Sequence, residues 1–229
     1  KENLVSSFIA FENQISLDNT FVHDMRTEAI KRFESEGFPA KKDEAWKYTS
    51  LGKVLKQDFS VFAKTEFAVE YKDVQPYFIH DIDSYKIVFV DGKYASHLSE
   101  TTHDGIDICL MSAALSKPKY QVVIENYFNT IAEKDSLTSL NTAFSNEGAY
   151  IHITKNKLVE KPIQIIHFST GSEAALLLQP RNLIVVDENA HVQIIERHQS
   201  LTDNPSLTNS VTEIFAAKRG IVDYYKVQN

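Results

Sequence analysis

The fold is decided by three stretches of one pattern: GAYIHITKNKLVEKPIQIIH at residues 148–167, PRNLIVVDENAHVQIIER at 180–197 and TNSVTEIFAAKRGIVDYYKV at 208–227. Each contains a short run of β-forming residues, a polar turn and a second such run. Their starts lie about thirty residues apart, a period typical of solenoid repeats. The sequence therefore predicts successive coils of a β-solenoid in this part of the chain.

Apolar and polar residues alternate along these runs, as they do in strands with one buried face. The pattern places Ile151 and Ile153 opposite Tyr150 and His152, and Val192 and Ile194 opposite His191 and Gln193. We therefore expect isoleucine and valine to stack inside the solenoid. The pattern still repeats at Asn229, which predicts that the chain is the first half of a longer protein. The open end of such a half would support a homo-oligomer.

Composition excludes several classes of function. The chain carries 24 basic and 31 acidic residues, a net charge of −7, which argues against an electrostatic grip on nucleic acid or anionic lipid. It contains no apolar run long enough for a membrane span, and KENLVSSFIAFENQ at 1–14 does not read as a secretion signal. The single cysteine, Cys109, fits a reducing cytoplasm and is expected to be a small buried apolar residue.

The N-terminal part is predicted to be a helical hairpin. Apolar residues recur at helical spacing over 4–15, and a second helix begins after Asp18 or Asn19, either of which could cap it. Gly37 and Pro39 end that helix.

The middle of the chain is predicted to be mixed. Asp91-Gly92 between two β-rich runs predicts a hairpin, followed by a strand at 105–110 and a short helix at 111–115. A helix after Pro118 carries an apolar stripe as far as Ala132, and another helix spans 136–144. Residues 170–179 and 201–208 are predicted to be variable connections. The whole chain is thus of the α+β class, with a helical and mixed region at 1–145 and the first solenoid coils at 146–229.

Residues 41–55 hold the only tryptophan, Trp46, at a spacing that suits neither a long helix nor a clean strand. One interpretation is that Trp46 packs as a plug between the helical hairpin and the next layer. The other is an exposed aromatic docking point for a partner. The plug is the favoured interpretation.

Motifs for common chemistry are absent from the sequence. It contains no phosphate-binding glycine loop, no GxSxG and no HExxH. Among the eight histidines, only His152 and His191 are predicted to stack on neighbouring coils, and a metal role for them is disfavoured. The carboxylates of the repeats, Asp187, Glu188, Glu196 and Asp223, are scattered between turns and strands and nominate no acid–base pair. The residue chemistry predicts a structural or interaction protein with no catalytic residue and no metal or cofactor site of its own.

Several passages together resemble the SufB/SufD family of the SUF iron–sulfur cluster assembly system. They are DEAWKYTSL at 43–51, KIVFVDGKYASHLS at 86–99, SLTSLNTAFSNEGAYIHI at 136–153, EKPIQIIH at 160–167, PRNLIVVDENAHVQIIE at 180–196 and YYKVQN at 224–229. Their order and spacing match from residue 43 onward. The signature formed by Glu44, Trp46, Lys47, Tyr48 and Thr49 is similar to the SufD branch rather than to SufB, and its role is structural or unknown.

The resemblance implies a right-handed parallel β-helix, a single-stranded solenoid, after an N-terminal helical region. It implies a non-catalytic scaffold subunit that pairs with SufB and binds the ATPase SufC, in a complex that handles an iron–sulfur cluster. The residues implied to take part in cluster formation lie in the later half of the β-helix, beyond this chain, so none is carried over.

Two other functions remain open from the sequence. One is a β-helix carbohydrate-active enzyme whose site lies in the missing C-terminal half, and the other is a β-helix cell-surface module.

Overall fold

The computed structural model describes residues 1–15, 19–62, 69–100, 106–132, 134–145, 147–170 and 175–228. Its helices are α1 (Glu2–Ile15), α2 (Thr20–Glu36), α3 (Tyr71–Val74), α4 (Met111–Ser116), α5 (Gln121–Tyr127) and α6 (Ser136–Phe144). Its strands are β1 (Tyr85–Val90), β2 (Lys93–Tyr94), β3 (Ile106–Leu110), β4 (Ala149–Ile153), β5 (Ile163–Ser169), β6 (Leu176–Leu178), β7 (Arg181–Val186), β8 (His191–Ser200), β9 (Ser206–Thr208), β10 (Val211–Ala216) and β11 (Ile221–Gln228). None of the helices that the structure describes is long and apolar enough to cross a bilayer.

The helical hairpin is confirmed, together with its end signals. The Asn19 side chain accepts a hydrogen bond from the Val22 amide at 3.3 Å and so caps α2. Gly37 ends the helix at φ 72° and donates to the Phe33 carbonyl at 2.7 Å. Asp18, the other candidate cap, lies outside the described residues. Both helices pack against α6 through a buried cluster that includes Phe11.

The three repeats stack as parallel strands. The first strands of the repeats form the order β4-β7-β10, and the second strands form β5-β8-β11. The register joins Ile151 to Ile184 and Ile184 to Ile214, so that equivalent inward positions lie above one another. Between the two sheets lies an apolar core whose buried members include Ile153 and Val192. The predicted α+β class, the N-terminal helices and the stacked parallel strands are confirmed, whereas the right-handed winding stays a prediction.

The repeat sheets also recruit strands from the mixed region. The Asp91-Gly92 hairpin is confirmed, with φ values of 47° and 75° at its two turn residues. Its first strand, β1, extends the second sheet by pairing in parallel with β5, and β3 extends the first sheet by pairing antiparallel with β4. Gly105, the predicted start of β3, lies outside the described residues. The mixed region therefore supplies an outer strand to each sheet.

Two predictions need correction, one about the connections between strands and one about the end of a helix. Residues 170–179 and 201–208 are not only variable loops, because they contain β6 and β9, which pair in parallel as a third short sheet. Residues 171–174 of the first connection lie outside the described residues. The helix after Pro118 ends at Tyr127, before the predicted end of its stripe, and Ile131 is 48% exposed. Periodicity alone did not mark this end, where Asn129 takes a positive φ of 59°.

Candidate functional site

A polar cluster occupies one end of the interior between the repeat sheets. It consists of His167 at the end of β5 and Glu196 and His198 near the end of β8. These residues continue the inward alternation of their strands, since His167 follows Ile163 and Ile165 at steps of two. The side chain of Glu196 is fully buried, His167 is 6% exposed and the His198 side chain is 12% exposed. The interior is thus apolar at one end and ionisable at the other.

The two histidines form a stack across neighbouring repeats. His167 pairs in register with His198, and their rings lie parallel at a centroid distance of 4.8 Å. Phe89 of β1 continues the stack on the other side of His167 at 4.9 Å. The prediction that His152 and His191 stack on each other is wrong. Each pairs instead with a carboxylate of the following repeat, at 3.1 Å from Asp187 and 2.9 Å from Asp223 respectively.

Glu196 is held by donors from three strands besides its own. Its Oε2 atom accepts from Thr212 at 2.8 Å, from the Asn182 amide at 3.3 Å and from the Tyr224 hydroxyl. Its Oε1 atom faces His198 Nε2 at 2.6 Å and Lys226 Nζ at 3.3 Å. One oxygen is therefore fixed by neutral donors, while the other faces the histidine and a half-exposed lysine.

Burial and hydrogen bonding set the protonation states. Burial lowers the pKa of His167 to about 3, so this imidazole is neutral at physiological pH. Burial by itself raises the pKa of the Glu196 carboxyl, but the hydrogen bond from His198 and the positive charge of Lys226 outweigh it and hold that pKa below its usual range. The cluster therefore presents a neutral imidazole beside a carboxylate.

Two nitrogens of the cluster are buried without a hydrogen-bond partner among the described residues: Nε2 of His167 and Nδ1 of His198. Buried polar atoms are nearly always paired with protein, water or an ion, so these two indicate unfilled binding capacity. A cleft of about 210 Å³ reaches both histidines and is also lined by Ser169, Ser200 and Thr208.

The donor set suits a divalent transition metal. One nitrogen from each histidine and one Glu196 oxygen lie within 4.8 Å of one another. Imidazole and carboxylate are common ligands of zinc and non-haem iron. The sequence prediction of no metal site did not foresee this arrangement. The signal was present in the inward alternation of β8 past Ile194, but the predicted strand ended at Arg197.

Three further carboxylates of the repeats form ion pairs: Asp187 and Glu188 follow β7, and Asp223 lies on β11. Glu188 contacts Lys155 at 2.7 Å and Arg219 at 2.8 Å, which links three successive turns. Asp187 and Asp223 each pair with one histidine. The prediction that Asp187, Glu188, Glu196 and Asp223 nominate no acid–base pair stays a prediction.

The signature residues lie away from the cluster, in an exposed segment. Glu44, Lys47, Tyr48 and Thr49 are exposed around a short 3-10 turn, Glu44–Trp46, and Tyr48 is 91% exposed. Trp46 is only half-buried and belongs to none of the four buried clusters formed by the described residues. The interpretation of Trp46 as a plug is therefore not supported.

Cys109 is half-buried beside Tyr120 rather than fully buried, and burial raises the pKa of its thiol.

A second ionisable group, Glu147, leads to a pH prediction. Burial raises the pKa of Glu147 from 4.5 to about 7, and its Oε2 atom has no hydrogen-bond partner among the described residues. The native state then keeps a proton that the unfolded state releases, so its stability should fall as pH rises from about 4.5 to about 7. Urea unfolding from pH 4.5 to 8 should show that Glu147→Gln loses less stability over this window than the wild type. Equal pH dependence of the two proteins would contradict this assignment.

Two protein-family models together match nearly the whole chain. The family model described as the SufBD protein N-terminal region matches residues 2–165, and the model of the SUF system FeS cluster assembly SufBD core domain matches residues 167–229. Together they cover both the helical region and the stacked repeats.

Three relatives show the level of similarity. A SufBD family protein of iron–sulfur cluster assembly from Synechocystis is 24% identical over 220 residues, which cover 92% of this chain and 48% of that protein. SufD of Escherichia coli is 23% identical over 194 residues, 83% of this chain and 42% of that protein. SufB of Bacillus subtilis is 33% identical over 116 residues, 49% of this chain and 24% of that protein. The chain thus spans half or less of the length of these relatives.

Proposed function

The chain belongs to the SufB/SufD family of the SUF iron–sulfur cluster assembly system, and from this membership we propose that it is a scaffold subunit that acts by binding other proteins. The observation that carries the proposal is the in-register stack of β4, β7 and β10 on one side and β5, β8 and β11 on the other. We further propose that this stack is the start of a right-handed parallel β-helix.

The edges of the stack support a role in pairing. In the part of the chain that the structure describes, β10 and β11 are edge strands of their sheets. Such edges pair with further strands of the same fold or with a partner. We propose SufB as the partner of the β-helix and SufC as a second partner. Self-association through the same edges stays a prediction.

The finer assignment to SufD is also a proposal. It is supported by the DEAWKYTSL segment and by the similarity to SufD of Escherichia coli, while similarity to a SufB protein is also present. We propose that the exposed signature residues around Tyr48 contact another subunit, because tyrosine is enriched among the residues that carry binding energy at protein interfaces.

A non-catalytic role in the cytoplasm completes the proposal. The ion pairs of Asp187, Glu188 and Asp223 support structural roles for these carboxylates, and a single cysteine fits a reducing compartment. The family match favours cluster assembly over the carbohydrate-active and cell-surface alternatives. We retain the division into regions 1–145 and 146–229 as part of the proposal.

Complex formation is the direct test. The protein is expressed with an affinity tag beside SufB and SufC of the same organism. Affinity capture should recover both proteins, and size-exclusion chromatography with light scattering should show a defined ratio. Recovery of neither protein would contradict the scaffold assignment. Omitting SufC in a parallel expression separates direct SufB binding from binding through the ATPase.

A further inference from the structure

We propose that His167, Glu196 and His198 bind a divalent first-row transition metal ion, of the Zn²⁺ or Fe²⁺ class, inside the repeat stack. The three side chains converge from β5 and β8 at the ionisable end of the interior. The site lies in this chain alone, so the inference goes beyond the scaffold role and does not depend on it.

The donor types favour a transition metal over a calcium or magnesium ion. Two imidazoles and one carboxylate are the ligands of many zinc and non-haem iron sites, whereas calcium and magnesium prefer oxygen ligands alone. The three ligand atoms lie within 4.8 Å of one another. At bond lengths of about 2.0–2.2 Å, ligand atoms of one ion lie roughly 3–3.5 Å apart. The widest pair must therefore close by up to about 1.3–1.8 Å, which side-chain rotation can supply.

Glu196 is oriented as a metal-binding carboxylate would need to be. Its Oε2 atom is anchored by Asn182, Thr212 and Tyr224, and this fixes Oε1 toward His198. Carboxylate ligands in metal sites are commonly held by such outer hydrogen bonds. The ion would take the place of the hydrogen bond between His198 Nε2 and Glu196 Oε1, whose atoms are now 2.6 Å apart.

His167 also shows the unfilled capacity that a ligand would satisfy. Nε2 of His167 is buried and has no partner among the described residues, although the Phe89 and His198 rings hold the imidazole on both faces. An uncharged imidazole nitrogen fixed in this way is a ready metal ligand.

The cleft beside the histidines supplies an entry path and an open coordination position. It has a volume of about 210 Å³ and reaches the rings between Ser169, Ser200 and Thr208. Because that volume exceeds the space of a single water, water could complete the coordination sphere. Three protein ligands with an open position for water differ from closed structural zinc sites, which have four protein ligands.

Lys226 would compete with the metal ion for the Glu196 carboxylate. Its Nζ atom lies 3.3 Å from Glu196 Oε1 and also donates to Ser210 at 2.8 Å. The lysine side chain is 32% exposed, so it can move away when an ion enters. Removing its charge should therefore strengthen metal binding, which is an effect opposite to that of removing a ligand.

Cobalt titration of the metal-free protein tests the site. Co²⁺ added to chelator-treated protein should give saturable visible absorption at one ion per chain, and Zn²⁺ should displace it and raise the temperature of unfolding. His167→Phe, which extends the aromatic stack, and His198→Gln should each weaken Co²⁺ binding by about tenfold or more. His191→Gln is the matched control. His191 lies on β8 like Glu196 and His198, but its side chain pairs with Asp223 and not with the proposed ligands.

Lys226→Gln gives the decisive second arm, since a half-exposed lysine can be replaced without loss of the fold. It should tighten Co²⁺ binding by roughly tenfold or more, because the repulsion between one unit charge and a divalent ion at about 4 Å is twice that between two unit charges even in a water-like dielectric. The proposal is overturned if no saturable site exists, if the His167 and His198 variants bind like the wild type, or if His191→Gln loses affinity equally. Unchanged or weaker binding by Lys226→Gln would also overturn it.

Discussion

Replacing Glu213 with alanine is expected to lower the free energy of unfolding by about 3–5 kcal/mol, because it breaks a buried ion pair from one side. Glu213 of β10 lies 2.7 Å from the Arg181 guanidinium of β7, and both side chains are almost fully inaccessible to solvent. The carboxylate also accepts from the backbone amides of Asn129, Ile131 and Ala132 at 2.8–3.1 Å. Its loss would leave the buried Arg181 cation without a counter-charge and three backbone donors without an acceptor.

The pair joins the repeats to the helical region. Arg181 donates to Asn141 and Thr142 of α6 and to the Asn129 side chain, each at 3.2 Å. Burial alone raises the pKa of Glu213, but Arg181 and the backbone donors hold that pKa below its usual range, so the carboxylate is charged. The ion pair therefore links two neighbouring coils to α6 and to the turn that ends α5.

Urea unfolding at neutral pH measures this effect, and Glu188→Ala provides the matched control. Glu188 also pairs with basic residues of neighbouring repeats, but its partners Lys155 and Arg219 are 60% and 62% exposed. An exposed pair of this kind contributes about 1 kcal/mol or less. Equal loss of stability in the two variants would show that burial of the Arg181 pair adds nothing.

The local signals of the sequence predicted most elements. Alternation identified the inward positions Ile151, Ile153, Val192 and Ile194. The sequence also predicted the cap at Asn19 and the turn at Asp91-Gly92. Each depends on neighbours in the chain, so propensity and spacing are sufficient to reveal it. The end of α5 and the half-exposed Trp46 depend on tertiary packing, which those signals do not contain.

The histidine cluster could not be predicted because register decides it. His167 meets His198 at a separation of 31 residues, while His152 meets Val185 at 33, and one residue of slip would turn each side chain to the other face. Both separations span the connection between β5 and β7, which contains β6 of the third sheet. One of them also includes the turn at 154–162, and the other includes the shorter turn at 187–190. The sequence thus showed which residues point inward, but not which histidines meet.

The interior changes character along the strands. The ends of β4 and β7 and the starts of β5 and β8 enclose isoleucine and valine, including Ile153 and Ile163, whereas the later part of β8 encloses Glu196 and His198. Isoleucine contacts alone would stabilise the stack, so the buried ionisable end costs desolvation that packing does not require. A function at that end, rather than stability, is the simpler explanation for it.

Replacing Gly148 with alanine is expected to destabilise the protein by about 3 kcal/mol or more through a direct backbone clash. Gly148 immediately precedes β4, at φ 157°, where the first repeat passes close to β7. A Cβ atom there would lie 1.9 Å from the Arg181 carbonyl oxygen and 2.6 Å from its carbonyl carbon. Relief would require the start of β4 to separate from β7, where the Arg181 amide donates to the Glu147 carbonyl at 3.1 Å.

Gly52→Ala is the control for this substitution, since among the described residues an added Cβ would meet just the Ser50 hydroxyl oxygen, at 3.4 Å. That variant should unfold at the same urea concentration as the wild type or slightly higher, because alanine restricts the unfolded chain more than glycine does. Hydrogen exchange should locate the damage of Gly148→Ala in β4 and β7 first, since these strands share the Tyr150–Leu183 register. Equal urea midpoints of unfolding for Gly148→Ala and Gly52→Ala would show that Gly148 lies farther from the Arg181 backbone than in the structure.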